Sequence, residues 1–176
     1  MAELFHYFVE GECEKKLISA FSHTENNEIK TGKVEVFNVL IRKFTTIRMK
    51  GIKKGTHVVF IYDSDTTDIS TLKYNIEMLK KYAQIDEDHI IHVISVKNFE
   101  DEIIRSTDIK NINELLNTKG TAEFKKKFID HNNIVSVLMK HGFDINKIWV
   151  TKPSEPFDKY SNDNTDKIKN NKNKKK

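Results

Sequence analysis

The sequence predicts an α/β protein with a parallel sheet of about four strands and helices on both faces. Four short apolar runs are typical of buried strands, and amphipathic helical patterns separate them. Strands that are apolar throughout and joined by crossover helices indicate a parallel sheet covered on both sides. Hydrophobic residues make up 38% of the 176 residues, enough for one core. No proline precedes Pro153, which fits a body of regular elements.

The strands are expected where apolar runs end at glycine or acidic residues. The clearest is HVVFIY, which stops at Asp63-Ser64-Asp65, and the first, LFHYFV, stops at Glu10-Gly11. The four predicted strands are Leu4 to Val9, Val34 to Val39, His57 to Tyr62 and His89 to Val96.

Helices are expected between these strands and after the last of them. Asp68 or Ser70 is a suitable N-cap for the helix that follows the third strand and runs to Tyr82 or Ala83. The other predicted helices are Glu12 to Phe21, Leu40 to Met49, Phe99 to Ser106, Ile112 to Leu116, Ala122 to Ile129 and Ile134 to His141.

The chain divides into a body and a tail by composition. Residues 1–150 are predicted to form the α/β domain, with a helical extension from about residue 98, and residues 151–176 a disordered, Lys/Asn-rich tail. The tail has 8 lysines and 4 acids, and subtracting these from 30 basic and 26 acidic residues leaves 22 of each. The body is therefore formally neutral. The tail either binds a phosphate backbone or is a solvated end.

The composition argues against several classes of protein. No apolar run approaches the roughly 18 residues that a membrane span needs, so no membrane partner is expected. The first nine residues lack the pattern of a secretory signal. Cys13 is the only cysteine, which excludes an internal disulfide and a multi-cysteine zinc site. A cytoplasmic location is expected.

Three carboxylates follow predicted strands, where an open parallel α/β sheet binds its ligands. Glu10 follows the first strand, and Asp63 and Asp65 follow the third. Residues two apart on an extended chain point the same way, so the two aspartates are expected to converge on one ion. Carboxylates without Cys or His neighbours favour Mg²⁺ or Mn²⁺ over zinc. The alternative is that these acids only cap the helices that follow.

The segments FVEGECEKKL and VVFIYDSD together resemble the TOPRIM domain. That domain has a Glu, usually followed by Gly, after its first strand and an Asp-x-Asp after its third, and the order here is Glu10-Gly11 and then Asp63-Ser64-Asp65. The resemblance covers about residues 4–96. The VEGExE form is most similar to the OLD-like and phage-defence nucleases among TOPRIM proteins.

The resemblance implies roles for individual residues. Asp63 and Asp65 match the metal-binding aspartates, and Glu10 matches the Glu that binds metal or acts as the general acid/base. Glu14, one helical turn after Glu10, is a candidate ligand of a second metal. The alternative for Glu14 is an exposed acid that favours the helix dipole.

Further candidates lie after the fourth strand. Glu100 or Glu102 is expected near the same sheet edge, although the two cannot share one face of a helix. Each is either a metal ligand or part of an acidic first turn. Candidate phosphate contacts are Lys119, Lys125 and Arg105, the last being one of three arginines in the chain. The alternative for the lysines is a solvated face.

The sequence thus predicts a Mg²⁺-dependent phosphodiesterase that acts on DNA or RNA, in phage defence or nucleic-acid processing. A second hypothesis is a nucleic-acid-binding defence module that is inactive alone or works with a partner protein such as an ATPase. A third is a phosphatase, because Asp63-Ser64-Asp65-Thr66-Thr67 also resembles the haloacid-dehalogenase motif. That family has the motif on its first strand, whereas two strand–helix units precede it here.

Overall fold

The computed structural model describes residues 3–23, 27–160 and 162–170. Within these residues the chain forms one four-stranded, fully parallel sheet in the order β2-β1-β3-β4, which confirms the predicted α/β class. The strands are β1 (Phe5–Val9), β2 (Lys33–Val36), β3 (His57–Asp63) and β4 (Ile90–Ser95).

Seven α-helices are present in the described part of the chain. They are α1 (Glu12–His23), α2 (Thr46–Lys50), α3 (Ser70–Met78), α4 (Phe99–Arg105), α5 (Ile112–Leu116), α6 (Thr121–Asp130) and α7 (Ile134–Lys140). A π-helical turn, Leu79–Ala83, continues α3. Among the residues described, no helix is both long and apolar enough to cross a bilayer.

Helices cover both faces of the sheet, as predicted. Side chains alternate along each strand, so that Tyr7 and Ile61 belong to one apolar cluster and Phe8 and Phe60 to the other. The first cluster includes residues of α1 and α4 to α7. The second includes residues of α2 and α3.

The helix predicted from Leu40 to Met49 is wrong over most of its length, because only Thr46–Lys50 is helical. The buried side-chain amide of Asn75 forms hydrogen bonds with backbone groups of this segment that a helix would use itself. Its Oδ1 accepts from Phe44 N at 2.7 Å, and its Nδ2 donates to the carbonyls of Val39 and Arg42 at 2.9 and 2.8 Å. These long-range bonds hold the segment as a loop.

The segment after Val150 also differs from the prediction of a tail without packing. Phe157 is 1% exposed, and its ring lies 5.7 Å from that of Tyr62. Ile168 is fully buried in the first cluster, and its carbonyl accepts from Lys30 N at 2.8 Å. Residues 151–160 and 162–170 therefore belong to the folded domain, and residues 171–176 lie outside the described residues.

Candidate active site

The strand order places a switch point between β1 and β3. The chain leaves β1 through α1, on one face of the sheet, towards β2, and it leaves β3 through α3, on the other face, towards β4. Neighbouring connections therefore leave β1 and β3 in opposite directions, which opens a crevice at their carboxyl ends. Glu10 and Asp63 lie at these two ends.

A hydrogen bond joins the two predicted acids across the crevice. Glu10 Oε2 accepts from the backbone N–H of Asp63 at 2.9 Å, and Glu10 N donates to the Ile61 carbonyl at 3.0 Å. Burial raises the pKa of Glu10 and outweighs this hydrogen bond, which lowers it. The charge of Asp65 raises the pKa further, and that of Lys125 lowers it.

Asp63 lacks a partner for part of its carboxylate. Its Oδ1 is buried and has no hydrogen-bond partner among the described residues. Burial raises its pKa to about 8, and the charges of Glu10, Glu14 and Asp65 raise it as well, while the nearby side chain of Ser95 lowers it without coming to hydrogen-bond distance. Asp65 itself is exposed, and its charge raises the pKa of both Glu10 and Asp63, so it lies near them.

Glu14 also faces this centre and is buried, with 5% exposure, in contrast to the alternative of an exposed acid. Its Oε2 accepts from Gly11 N at 3.1 Å. A glutamate in the third helical position that reaches back to the N-cap N–H is one half of a capping box. Burial raises the pKa of Glu14 to about 7, and the charges of Glu10 and Glu100 add to the effect.

Glu100 and Lys125 form a pair at the edge of the acidic centre. Glu100, in the first turn of α4, is 8% exposed, and its Oε1 lies 3.1 Å from Lys125 Nζ on α6. Burial lowers the pKa of Lys125, but the hydrogen bond and charge of Glu100 raise it above its usual value. Lys125 is therefore a cation held beside Glu10 and Glu14.

Glu102 and Arg105 have structural partners instead. Glu102 is fully buried, and its Oε1 accepts from Val96 N at 3.0 Å and from Arg105 Nη2 at 2.6 Å. Its Oε2 accepts from Trp149 N at 3.0 Å. Both oxygens are thus occupied within the fold, which leaves Glu102 unsuited to the predicted role of metal ligand. Arg105 also donates to the Val96 carbonyl at 2.7 Å and serves as a carboxylate clamp within the fold.

Lys119, the remaining predicted phosphate contact, is exposed in the turn before α6. Its backbone N–H donates to Glu123 Oε2 at 2.9 Å. No pattern in the sequence pointed to Asn38, whose side chain lies near Glu10 and lowers the pKa of that carboxyl. An asparagine in a loop after a strand is too common a pattern to have indicated this contact.

The donor set suits a hard divalent cation, because every predicted ligand is a carboxylate oxygen. The unpartnered Oδ1 of Asp63 and the mutual repulsion of the acids are what a bound cation would relieve. The carboxylate oxygens of Glu10, Asp63 and Asp65 do not all lie within 4.8 Å of one another, however. In the described residues, a trio of ligand atoms within 4.8 Å of one another occurs at Asp86, Asp88 and His89.

That second trio lies just before β4, at the amino ends of the strands, whereas the candidate centre lies at their carboxyl ends. Its two aspartates are exposed, and Asp88 Oδ1 already contacts His89 Nδ1 at 3.1 Å. Exposed acidic groups of this kind are not by themselves a site. The carboxylates at the switch point remain the candidate centre.

Comparisons with known proteins add one likeness. No family model and no curated protein matches the sequence. Among solved structures, the chain is similar to the C-terminal region of the OLD protein of Xanthomonas campestris pv. campestris, with 14% identity and a TM-score of 0.41. The match covers 78% of this chain and 79% of that chain. Membership of the TOPRIM family stays a prediction.

Proposed function

We propose that the protein is a metal-dependent nuclease that hydrolyses phosphodiester bonds at the carboxyl ends of β1 and β3. The observation that carries the proposal is the buried, unpartnered Asp63 Oδ1 among facing carboxylates at the switch point of the sheet. A structural acid in such a place normally has its hydrogen bonds satisfied, as Glu102 has.

Each residue of the centre has a part in this proposal. Glu10, Asp63 and Asp65 would hold Mg²⁺ or Mn²⁺. Glu14 and Glu100 would add negative charge near this site. The bound ion supplies Lewis-acid activation of the phosphate and stabilises the leaving oxygen. Glu10 can accept the proton of the attacking water, since burial raises the pKa of its carboxyl. Lys125 offers a cation to the phosphate.

The test compares the wild type with Asp63→Asn on labelled single- and double-stranded DNA and RNA, with Mg²⁺ or Mn²⁺. We expect cleavage by the wild type, its loss in EDTA, and a drop of at least about 100-fold in the variant. Asp86→Asn is the matched control, because it removes one carboxylate from the other acidic trio. It should cleave like the wild type.

Two results would contradict the proposal. Full activity of Asp63→Asn would show that the switch point is not the catalytic centre, and loss in Asp86→Asn alone would move the centre to the other trio. Metal-independent binding of nucleic acid without cleavage by any folded variant would instead support the hypothesis of a binding module that needs a partner.

A further inference from the structure

Positive charge is concentrated in one part of the neutral body. Between Glu35 and Asp63 the chain contains no acidic residue, although 26 acids occur in the whole sequence. The same stretch contains six cations: Arg42, Lys43, Arg48, Lys50, Lys53 and Lys54. Residues 38–50, which we call the basic loop and which end in the short helix α2, hold the first four of them.

The basic loop begins beside the candidate centre. Phe37 N donates to the Val9 carbonyl at 2.8 Å, one residue before Glu10. The side chain of the next residue, Asn38, lies near enough to Glu10 to lower the pKa of its carboxyl. The loop therefore leaves the carboxyl end of β2 at the same sheet edge as the acids. It lies on the opposite face of the sheet from α6 and Lys125.

The first two cations of the loop are not neutralised. Arg42 and Lys43 are exposed and form no ion pair with any acid that the structure describes, whereas Arg48 pairs with Glu35. The Arg42 guanidinium lies 4.7 Å from the centre of the Phe37 ring, and Lys43 Nζ lies 5.1 Å from that of Tyr74. Such contacts orient a cation without cancelling its charge.

The backbone of the loop is held in place before any ligand arrives. The three hydrogen bonds from Asn75 are 2.7 to 2.9 Å long, and Phe44 is 2% exposed in the second apolar cluster. A surface ordered in advance loses little conformational entropy on binding.

The same loop displays two apolar side chains. Ile41 is 76% exposed and Ile47 is 85% exposed, the highest values among the large hydrophobic residues described. Single exposed apolar residues are ordinary, but two on one ordered loop among unpaired cations resemble the surfaces that contact bases.

We propose that the basic loop binds the nucleic-acid substrate next to the acidic centre. Arg42 and Lys43 would contact phosphates that flank the scissile one, and Ile41 and Ile47 would contact its sugars and bases. The ligand class rests on the proposed nuclease function. A nucleic-acid strand can place one phosphate at the acids and its neighbours at the loop, whereas the acids would repel the flat anionic surface of a bilayer.

The test measures binding of a fluorescent 20-nucleotide single strand to protein carrying Asp63→Asn, in EDTA, across a salt series. In this background, Arg42→Gln with Lys43→Gln is compared with Lys140→Gln with Lys147→Gln. The latter pair makes the same charge change at exposed lysines on the other side of the sheet. The loop pair should weaken binding about tenfold and lower the salt slope by about 1.5, and the control pair should change binding less than twofold. Ile41→Ser with Ile47→Ser should weaken binding severalfold and leave the slope unchanged.

Equal losses in the loop pair and the control pair would overturn the inference, and so would an absence of binding to the single strand. Binding to anionic vesicles that depends on Arg42 and Lys43, without binding to the strand, would also overturn it and indicate a membrane. Loop-dependent binding together with an uncleaving wild type would uphold the inference while the nuclease proposal fails. Cleavage by the wild type together with binding that does not depend on the loop would uphold the nuclease proposal and overturn the inference.

Discussion

At the scale of the single residue, the fully buried Glu102 and the half-buried Asp63 have opposite surroundings. Glu102 accepts three hydrogen bonds from Val96 N, Arg105 and Trp149 N, so its charge is compensated. Asp63 has one oxygen without a partner and lies among other acids, which together with burial raises its pKa to about 8. The first arrangement stabilises a fold, and the second destabilises it unless a ligand is bound.

This contrast predicts opposite effects of amide substitutions on stability. The native state of the metal-free protein keeps a proton on Asp63 that the unfolded chain releases above pH 4, so wild-type stability should fall as pH rises from about 4 to 8. Asp63→Asn removes this contribution, and the stability of the variant should fall less over that range.

Glu102→Gln should lower the free energy of unfolding by about 2–3 kcal/mol, because it removes charge-assisted hydrogen bonds. Urea unfolding in EDTA at pH 5 and pH 8 checks both, and a less stable Asp63→Asn at pH 8 would contradict the assignment.

At the scale of elements, the strands and most helices follow local patterns, but the loop between β2 and α2 does not. Its apolar residues, including Leu40 and Phe44, have the spacing of a helix. They face the core from a loop because Asn75, more than 30 residues away in sequence, binds the backbone at three points. The side chain of one asparagine on α3 thus decides the shape of the proposed nucleic-acid surface.

Asn75→Ala should therefore destabilise the protein by about 2–3 kcal/mol, since it leaves the Phe44 N–H and two carbonyls without partners in a buried place. The same change should weaken nucleic-acid binding by disordering the basic loop. Urea denaturation and the oligonucleotide titration measure the two effects. Asn132→Ala, at an exposed position, is the control and should leave both quantities unchanged. Wild-type stability in Asn75→Ala would show that the loop is held by packing alone.

At the scale of the whole molecule, different groups lie at the carboxyl ends of the parallel strands (the carboxyl edge) and at their amino ends (the amino edge). The carboxyl edge holds the acidic centre and the start of the basic loop. The C-terminal segment ends near the amino edge, where Lys169 forms an antiparallel bridge with Ile29 and Asn170 N donates to the Glu28 carbonyl at 2.8 Å. The last described residue therefore lies at the edge opposite the centre.

Two deletions test the role of this segment. Removing 151–176 should lower the free energy of unfolding by more than about 3 kcal/mol, because the buried side chains of Phe157 and Ile168 are lost. Removing 171–176 takes away four lysines and should change stability by less than about 0.5 kcal/mol. Thermal and urea unfolding compare the two proteins. Equal stability after both deletions would show that the packed segment contributes nothing to the fold.

The sequence by itself determined the class of the fold, the approximate places of the four strands and the acids that follow two of them. These features are local: an apolar run of five to seven residues and its polar end are adjacent in the chain. The helices after β4 were equally predictable, because each has its own apolar face at helical spacing.

Only the tertiary structure decided which ends of the strands are neighbours and which acids have partners. Glu10 meets Asp63 across 53 residues of sequence, and Glu102 meets Trp149 across 47. Lys125, Asn38 and the packed segment around Phe157 reach their places through the same long-range contacts. Burial and hydrogen-bond partners depend on distant residues brought together by the core, so no local pattern separates an acid whose oxygens have partners, such as Glu102, from one with an unpartnered oxygen, such as Asp63.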